Sequence, residues 1–333
     1  MTSLPTTRTA PTALTLGLRP PAILIVTVLL FALACMLVPR FGTLGNVENV
    51  LRIAAILGIV ACGQAIVIIL GGIEFSFGAS TALASVAIVM ALPQAGVSGA
   101  FAIGVLLVLA IGMANGALVA RLSVPPVIVT LGMLMIASGL AAWLAGGLPI
   151  DAPPSDAFSW PARGRLWGVP VPILLAVAAF TVLHLLLSVS RLGRGWYLVG
   201  ANATAARLAG LPVRRVVFLG YAVAGLFCAL GAVILTSRVG SGQPMLAPNL
   251  PFETIAACAI GGLPLSGGRG NVLQVACGVL IVAMLNNFVV LLNFTTAYQL
   301  ILLGLLVLVA VLLQRDWSFL IQASRLLAAR KPL

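Results

Sequence analysis

Apolar runs that carry almost no charge divide this chain from end to end. Residues 22–38, 53–70, 76–92, 97–118, 125–145, 170–190, 216–236, 253–263, 272–292 and 298–313 each read as a nearly unbroken hydrophobic stretch. A helix crossing a bilayer needs about 20 such residues. The pattern predicts an all-α polytopic membrane protein with about ten transmembrane helices. Composition agrees: 62% of the residues are hydrophobic, 7% are charged, and the mean hydropathy is +1.21. Soluble domains carry about 25% charged residues, so a cytosolic enzyme, a disordered chain and a secreted disulfide scaffold are excluded. An outer-membrane barrel would show short alternating segments, and these runs are continuous.

Proline marks the ends of the runs, because it lacks the amide donor and clashes with the preceding helical turn. Pro93, Pro125, Pro126, Pro149, Pro170, Pro212 and Pro251 fall between or beside them. Residues 1–21 read as a flexible tail, 22–314 as the membrane domain and 315–333 as a basic C-terminal tail. The first run could be a signal peptide, since Ala32-Leu33-Ala34 has the small-x-small pattern; its continuation through Met36-Leu37-Val38 favours a retained span. Placing the N-terminus inside and alternating puts 13 basic residues on the cytoplasmic side and 5 outside, as the positive-inside rule asks. Both termini are then cytoplasmic. Run 253–263 is too short to cross ~30 Å at ~1.5 Å per residue and predicts a half-helix or part of a broken one.

Absences narrow the function. The only lysine is Lys331, so no phosphate-binding Gly-x-x-x-x-Gly-Lys loop exists. The only histidine is His184, which removes two-histidine zinc motifs. No catalytic or metal-binding set emerges. The net charge of +12 is spread between apolar runs, which fits cationic loops rather than a nucleic-acid surface. Cys35, Cys62, Cys228, Cys258 and Cys277 all lie in apolar stretches without a Cys-x-x-Cys pair and read as small core residues. Glu74, Glu253 and His184 are the few ionisable candidates within spans, thin support for ion coupling. A secondary carrier or channel is the alternative class.

Two glycine segments are unlike lipid-facing helix. Gly71-Gly72-Ile73-Glu74-Phe75-Ser76-Phe77-Gly78 and Gly261-Gly262-Leu263-Pro264-Leu265-Ser266-Gly267-Gly268-Arg269-Gly270 both fit Gly-Gly-x-x-x-Ser-x-Gly. Each follows an apolar run and precedes a helix with a central asparagine, Asn115 in one case and Asn286-Asn287 in the other. A weak internal repeat follows, of the kind transport folds use. Irregular backbone at membrane depth must be buried in protein or face water, so these segments either gate a pathway or allow close helix packing. Gln64, Asn115, Asn286 and Asn287 are the amides that stand out within spans; they either touch a neutral hydroxylated solute or bond helix to helix.

The stretch 191–215 is the longest inside loop. Asn202 is a good N-cap, Ala203 to Ala209 are mostly helix formers, and Gly210 with Pro212 ends the turn. Two turns are unstable alone, so this helix lies on its own membrane domain or docks a cytoplasmic partner. Small alanines would admit a partner groove, and Arg207 could pair with an acidic rim.

Gly200-Ala201-Asn202-x-x-Ala205-Ala206-Arg207-Leu208-Ala209-Gly210-Leu211 resembles the coupling-helix motif of ABC permeases that import simple sugars, the ribose/xylose/arabinose type. Gly71 to Gly78 resembles that family's Gly-Gly-Ile-Asp-Leu-Ser-Val-Gly signature, and Ala256-Ala257 through Gly270 its second glycine segment, with Leu285-Asn286-Asn287 in register. The resemblance covers about residues 45–312. Glu74 stands where the family has Asp, Phe75 and Phe77 are bulkier than Leu and Val, and Leu263-Pro264 replaces Thr-Ser. The resemblance implies a type II ABC-importer-like fold in the bacterial inner membrane, a non-catalytic permease and a small neutral solute, most simply a monosaccharide. Related permeases carry nucleosides, the furanose autoinducer or branched-chain amino acids. It implies a cytoplasmic ABC ATPase that binds ATP and Mg, with no cofactor on this chain. It further implies an extracytoplasmic solute-binding protein, a second permease copy (identical or paralogous) and surrounding lipid. Gly200, Asn202, Ala205, Ala206, Arg207, Leu208 and Gly210 would form the coupling site. Gly71, Gly72, Glu74, Ser76, Gly78, Gly261, Gly262, Ser266, Gly267, Gly268 and Arg269 would form the gate segments.

Overall fold

The computed structural model describes residues 20–314, so both expected tails lie outside the described residues apart from Pro20 and Pro21. The long elements are helical: α1 (Pro20–Leu37), α2 (Leu44–Ile69), α3 (Phe77–Leu122), α4 (Pro126–Leu144), α5 (Asp156–Arg163), α6 (Val171–Ser188), α7 (Arg191–Ala201), α8 (Ala203–Leu208), α9 (Val213–Val239), α10 (Leu250–Ile260), α11 (Val272–Leu291) and α12 (Thr296–Gln314). Four two-residue strands make two small antiparallel pairs. β1 (Ile150–Asp151) joins β4 (Ser241–Gly242), and β2 (Arg165–Leu166) joins β3 (Val169–Pro170).

Among the described residues, six helices are long and apolar enough to cross a membrane: α2, α3, α4, α6, α9 and α11. Ala22–Leu37, Leu250–Ile260 and Ala297–Val309 are shorter apolar helices. The expected runs 76–92 and 97–118 are the two arms of α3. They meet at Gly96, whose φ of 65° and ψ of 179° break the helix three residues after Pro93. The arms fold back on each other, with Gly104 of the second lying against Ile88 of the first. The expectation of ten spans thus counts these arms separately and includes the three shorter helices.

Helix α2 is the axis of the bundle, with Ala54 through Ile69 buried without interruption. Its neighbours α9, α11, α6 and α10 cover it on all sides. In lipid there is no hydrophobic drive between helices, so close backbone approach at small residues supplies the packing. A Cβ added at Gly112 of α3 would sit 2.8 Å from the Tyr221 carbonyl and 3.1 Å from Gly225 Cα of α9. The α3–α9 crossing exists because both residues are glycine.

Helix α2 starts at Leu44, nine residues before the run that announced it. Its polar first turns escape the hydropathy pattern but are locally tied: Glu48 Oε1 binds Arg52 at 2.8 Å, one helical turn on, and Arg165 at 2.6 Å. The expected short span at 253–263 is α10, shifted to Leu250–Ile260. Eleven residues reach about 16 Å, half the ~30 Å of a hydrocarbon core. The chain enters it through an irregular segment, 243–249, that runs along the first arm of α3. The Gln243 amide donates to Ser85 Oγ at 3.0 Å, and Gly78 lies against the Ala247 carbonyl. Burial against α3 is what lets this backbone leave the helix.

Gly112→Leu is expected to force α3 and α9 apart, costing about 1–3 kcal/mol or more. Thermal unfolding of the detergent-purified chain checks it, and Gly132→Leu, with nothing within 4 Å, is expected to unfold as wild type.

Candidate functional site

The loop 191–215 contains two helices where one was expected. Ser190 caps the first, α7, by accepting from the Gly193 amide at 3.0 Å. Gly193, Gly195, Trp196 and Val199 of α7 face inward, while Arg191, Arg194 and Leu198 face outward. That helical spacing was present in the sequence, but two glycines and a short length masked it. Trp196 is fully buried and donates Nε1 to the Val216 carbonyl at 3.2 Å, pinning α7 to the start of α9.

The second, α8, has the caps its sequence foretold. Asn202 Oδ1 accepts from the Ala205 amide at 2.9 Å. Gly210, at φ +82°, donates to the Arg207 carbonyl, and the Leu211 amide donates to the Ala206 carbonyl. Ala205, Arg207 and Gly210 are exposed, and Leu208 is 86% exposed. Ala206 is buried in the chain's own body, so α8 lies on the membrane domain by that residue and presents the others outward. Gly200 likewise faces inward, lying against the Ile69 carbonyl at the end of α2.

Gly200 marks the centre of a three-way backbone junction. The Gly268 amide donates to the Ile69 carbonyl at 2.9 Å. A Cβ at Gly200 would collide with that same carbonyl and with the Gly268 nitrogen. A Cβ at Gly268 would lie 2.7 Å from Ala201 Cα, and one at Gly267 would lie 2.7 Å from Gly71 Cα. Tyr197 completes the clamp, donating its hydroxyl to the Gly270 carbonyl at 2.7 Å. The loop 191–215 therefore touches both glycine segments at once, through backbone. Ser266 and Arg269 sit on the exposed rim of this junction.

The repeat is visible in the helix ends. Helix α2 closes with Gly71 donating to the Ile68 carbonyl and Gly72 to that of Val67; α10 closes with Gly262 donating to Ala259 and Leu263 to Cys258. Gly71 and Gly262 have φ of +82° and +92°, the left-handed cap that glycine accepts without strain. The equivalence pairs Gly71 with Gly262, one residue off the match of Gly71 to Gly261 that the sequence suggests. Gly261 instead packs against the Gln274 carbonyl of α11.

Above the junction, four of the expected polar residues form one buried network. Glu74 Oε1 accepts from the Ser76 amide at 2.7 Å and from Ser76 Oγ at 2.6 Å. Asn115 Nδ2 donates to Glu74 Oε2 and to Ser76 Oγ, both at 3.0 Å. Gln64, with its amide turned to satisfy both partners, bonds the Glu74 carbonyl at 3.0 Å and the Glu74 amide at 3.2 Å. These four residues join α2 to both arms of α3. Tyr221, missed by the sequence reading, approaches the same place, its hydroxyl against Gly72.

The other two amides lie apart. Asn287 exchanges two 2.9 Å hydrogen bonds with Asn46 at the head of α2, so it bonds helix to helix. Asn286 reaches Glu253 at 3.5 Å. Gly78 packs against Ala247 and Pro251.

A polytopic helical body with paired glycine caps and a projecting, backbone-anchored helix pair defines a transport permease. The chain belongs to the family described as branched-chain amino acid transport system / permease component, whose model matches residues 46–311. It is a permease subunit of an ABC transporter, non-catalytic, with ATP hydrolysis on a separate polypeptide. It is 39% identical over 293 residues to the ribose import permease protein RbsC of Bacillus subtilis, covering 87% of this chain and 91% of that one. RbsC of Escherichia coli K12 is 33% identical over 297 residues, with 87% and 91% covered. The L-arabinose transport system permease protein AraH of Escherichia coli K12 is 34% identical over 294 residues, with 88% and 89% covered. No solved structure matches the chain.

Gly200→Val is expected to lift α7 off Ile69 and Gly268. Amide hydrogen exchange over 195–211 should rise at least tenfold, an opening of about 1.4 kcal/mol, while Gly304→Val, with open space around it, leaves exchange unchanged. Glu74→Leu removes the acceptor of the Ser76 amide, of the Ser76 hydroxyl proton and of one Asn115 Nδ2 hydrogen, at about 1–3 kcal/mol per stranded group. Thermal unfolding should show Glu74→Leu well below Glu74→Gln.

Proposed function

We propose that this chain is the membrane-spanning half of an ATP-driven importer for a small neutral solute, a monosaccharide, in the bacterial inner membrane. The observation that carries this reading is α8, a capped two-turn helix with Leu208 exposed, which follows directly on α7, whose end at Gly200 and Ala201 lies against both glycine segments. A cytoplasmic ABC ATPase docks on Ala205, Arg207 and Leu208. ATP and Mg bind that partner, and this chain binds no cofactor. Closure of the ATPase pushes α8, and the junction at Ile69, Gly200 and Gly268 passes the motion to α2–α3 and α10–α11 together.

Orientation follows from charge. Arg121, Arg191, Arg194, Arg207, Arg214, Arg215 and Arg269 are all exposed on the face that carries α8. Among the described residues, the only carboxylate near that face is the buried Glu74. This face is cytoplasmic by the positive-inside rule, as are both termini. The opposite face, with α5 and the β2–β3 hairpin, receives a solute-binding protein. A second permease copy, identical or paralogous, completes the pathway. The names of the relatives, ribose and L-arabinose permeases, support a sugar. The family description names branched-chain amino acids, which makes a zwitterionic solute the second reading.

Leu208→Asp places a charge at the centre of the docking knob without touching the core. Co-purification of the ATPase is expected to fall at least tenfold, and ATP-dependent sugar uptake to background, with membrane insertion unchanged. Undiminished co-purification would overturn the docking assignment.

A further inference from the structure

On the face opposite α8, a cavity of about 270 Å³ opens between the start of α2, the end of α9 and the start of α10. Drug-sized ligands occupy about 300–1,000 Å³, so this space suits something smaller. One wall is apolar, built from Ile53 and Leu57. The polar lining is Arg238, Asn249 and Glu253.

Each of these groups has hydrogen-bonding capacity unspent. Arg238 and Glu253 carry opposite charges and line one cavity, yet they do not pair; both ion pairs among the described residues belong to Glu48. Asn249 stands at the N-cap of α10, where asparagine ordinarily turns its oxygen onto the helix amides, but makes no such bond. The one side-chain hydrogen bond to Glu253 is the 3.5 Å contact from Asn286, and the buried Asn286 Oδ1 has no partner. Polar groups held away from water without partners cost stability. Of the four, Asn286 Oδ1, set behind the cavity, is the buried atom without a partner, while Arg238 stands exposed and Asn249 and Glu253 half-buried on the lining, so their bonding groups are open to whatever enters. Arg238 also lines a second cavity of about 260 Å³ with Arg52 and Arg163, which gives the first an approach from the α5 side.

We propose that Arg238, Asn249 and Glu253, with Asn286 behind, form a solute subsite for a neutral polyhydroxylated molecule the size of one sugar ring. This inference rests on the sugar-importer reading and deepens it. The guanidinium donates, the carboxylate accepts, and the amides do both, which matches hydroxyls that are donor and acceptor at once. One positive and one negative group leave no net charge for an ionic solute, and the Ile53–Leu57 wall receives the apolar face of the ring.

The test is uptake of radiolabelled D-ribose, L-arabinose and L-leucine by proteoliposomes holding the full transporter with its ATPase and binding protein. Wild type is compared with Glu253→Gln, Arg238→Gln and Asn249→Ala, with Met135→Ala on the exposed face of α4 as control. The expected result is sugar uptake at least tenfold lower in Glu253→Gln and Arg238→Gln, several-fold lower in Asn249→Ala, and unchanged in Met135→Ala. Complex assembly and ATPase stimulation by the binding protein should be kept throughout. Sugar uptake by all variants at the wild-type rate would overturn the subsite and leave the importer reading intact. Wild-type uptake of L-leucine and neither sugar would overturn the sugar reading itself. Asn249 makes no cap bond, so Asn249→Ala stays informative should the charge variants assemble poorly.

Discussion

A single carbonyl, that of Ile69, holds the two glycine segments and the loop 191–215 together. It accepts the Gly268 amide and is the atom against which Gly200 packs. Backbone polar groups have no water to turn to inside a membrane protein, so wherever helices end, another part of the chain must satisfy them. Here two helix ends and one loop satisfy each other. That is why glycines gather at 200, 267 and 268, since any side chain there would stand where another backbone runs, and at 71, where φ is +82°.

The buried polar network sits on the same joint. Glu74 belongs to the segment that begins at Gly71, and its carboxylate binds Ser76 at the head of α3 and Asn115 in the second arm. A movement of Gly71 is thereby a movement of the whole α3 hairpin. On the opposite face side chains make the long-range ties: Asn46 to Asn287 between α2 and α11, Glu48 to Arg165 between α2 and β2, and Arg52 to the Ala162 carbonyl between α2 and α5.

Much of this was legible in the chain. Long apolar runs gave the helices because a lipid-facing segment must be continuous, and Asn202 with Gly210 announced α8 because caps are local chemistry. The head of α2 was hidden because Asn46, Glu48, Asn49 and Arg52 break the apolar run, and the partners Asn287 and Arg165 lie far away in sequence. Helix α7 was hidden because its inward face uses Gly193 and Gly195, which count against helix in any propensity. Grouping Gln64 with Glu74, and separating Asn286 from Asn115, required knowing how α3 folds back at Gly96. Ala206 and Ala205 look alike in sequence, and only packing tells that one points home and the other away.

The joint and the outer cavity are made of different materials. The first is main chain against main chain, the second is the side chains of Arg238, Asn249 and Glu253 around an apolar wall. Replacing one cavity residue changes what is held without moving a backbone atom of the hinge, whereas the hinge tolerates almost nothing but hydrogen at its crossings. Such a division lets the lining of the outer cavity drift from one descendant to another while the backbone joint stays the same.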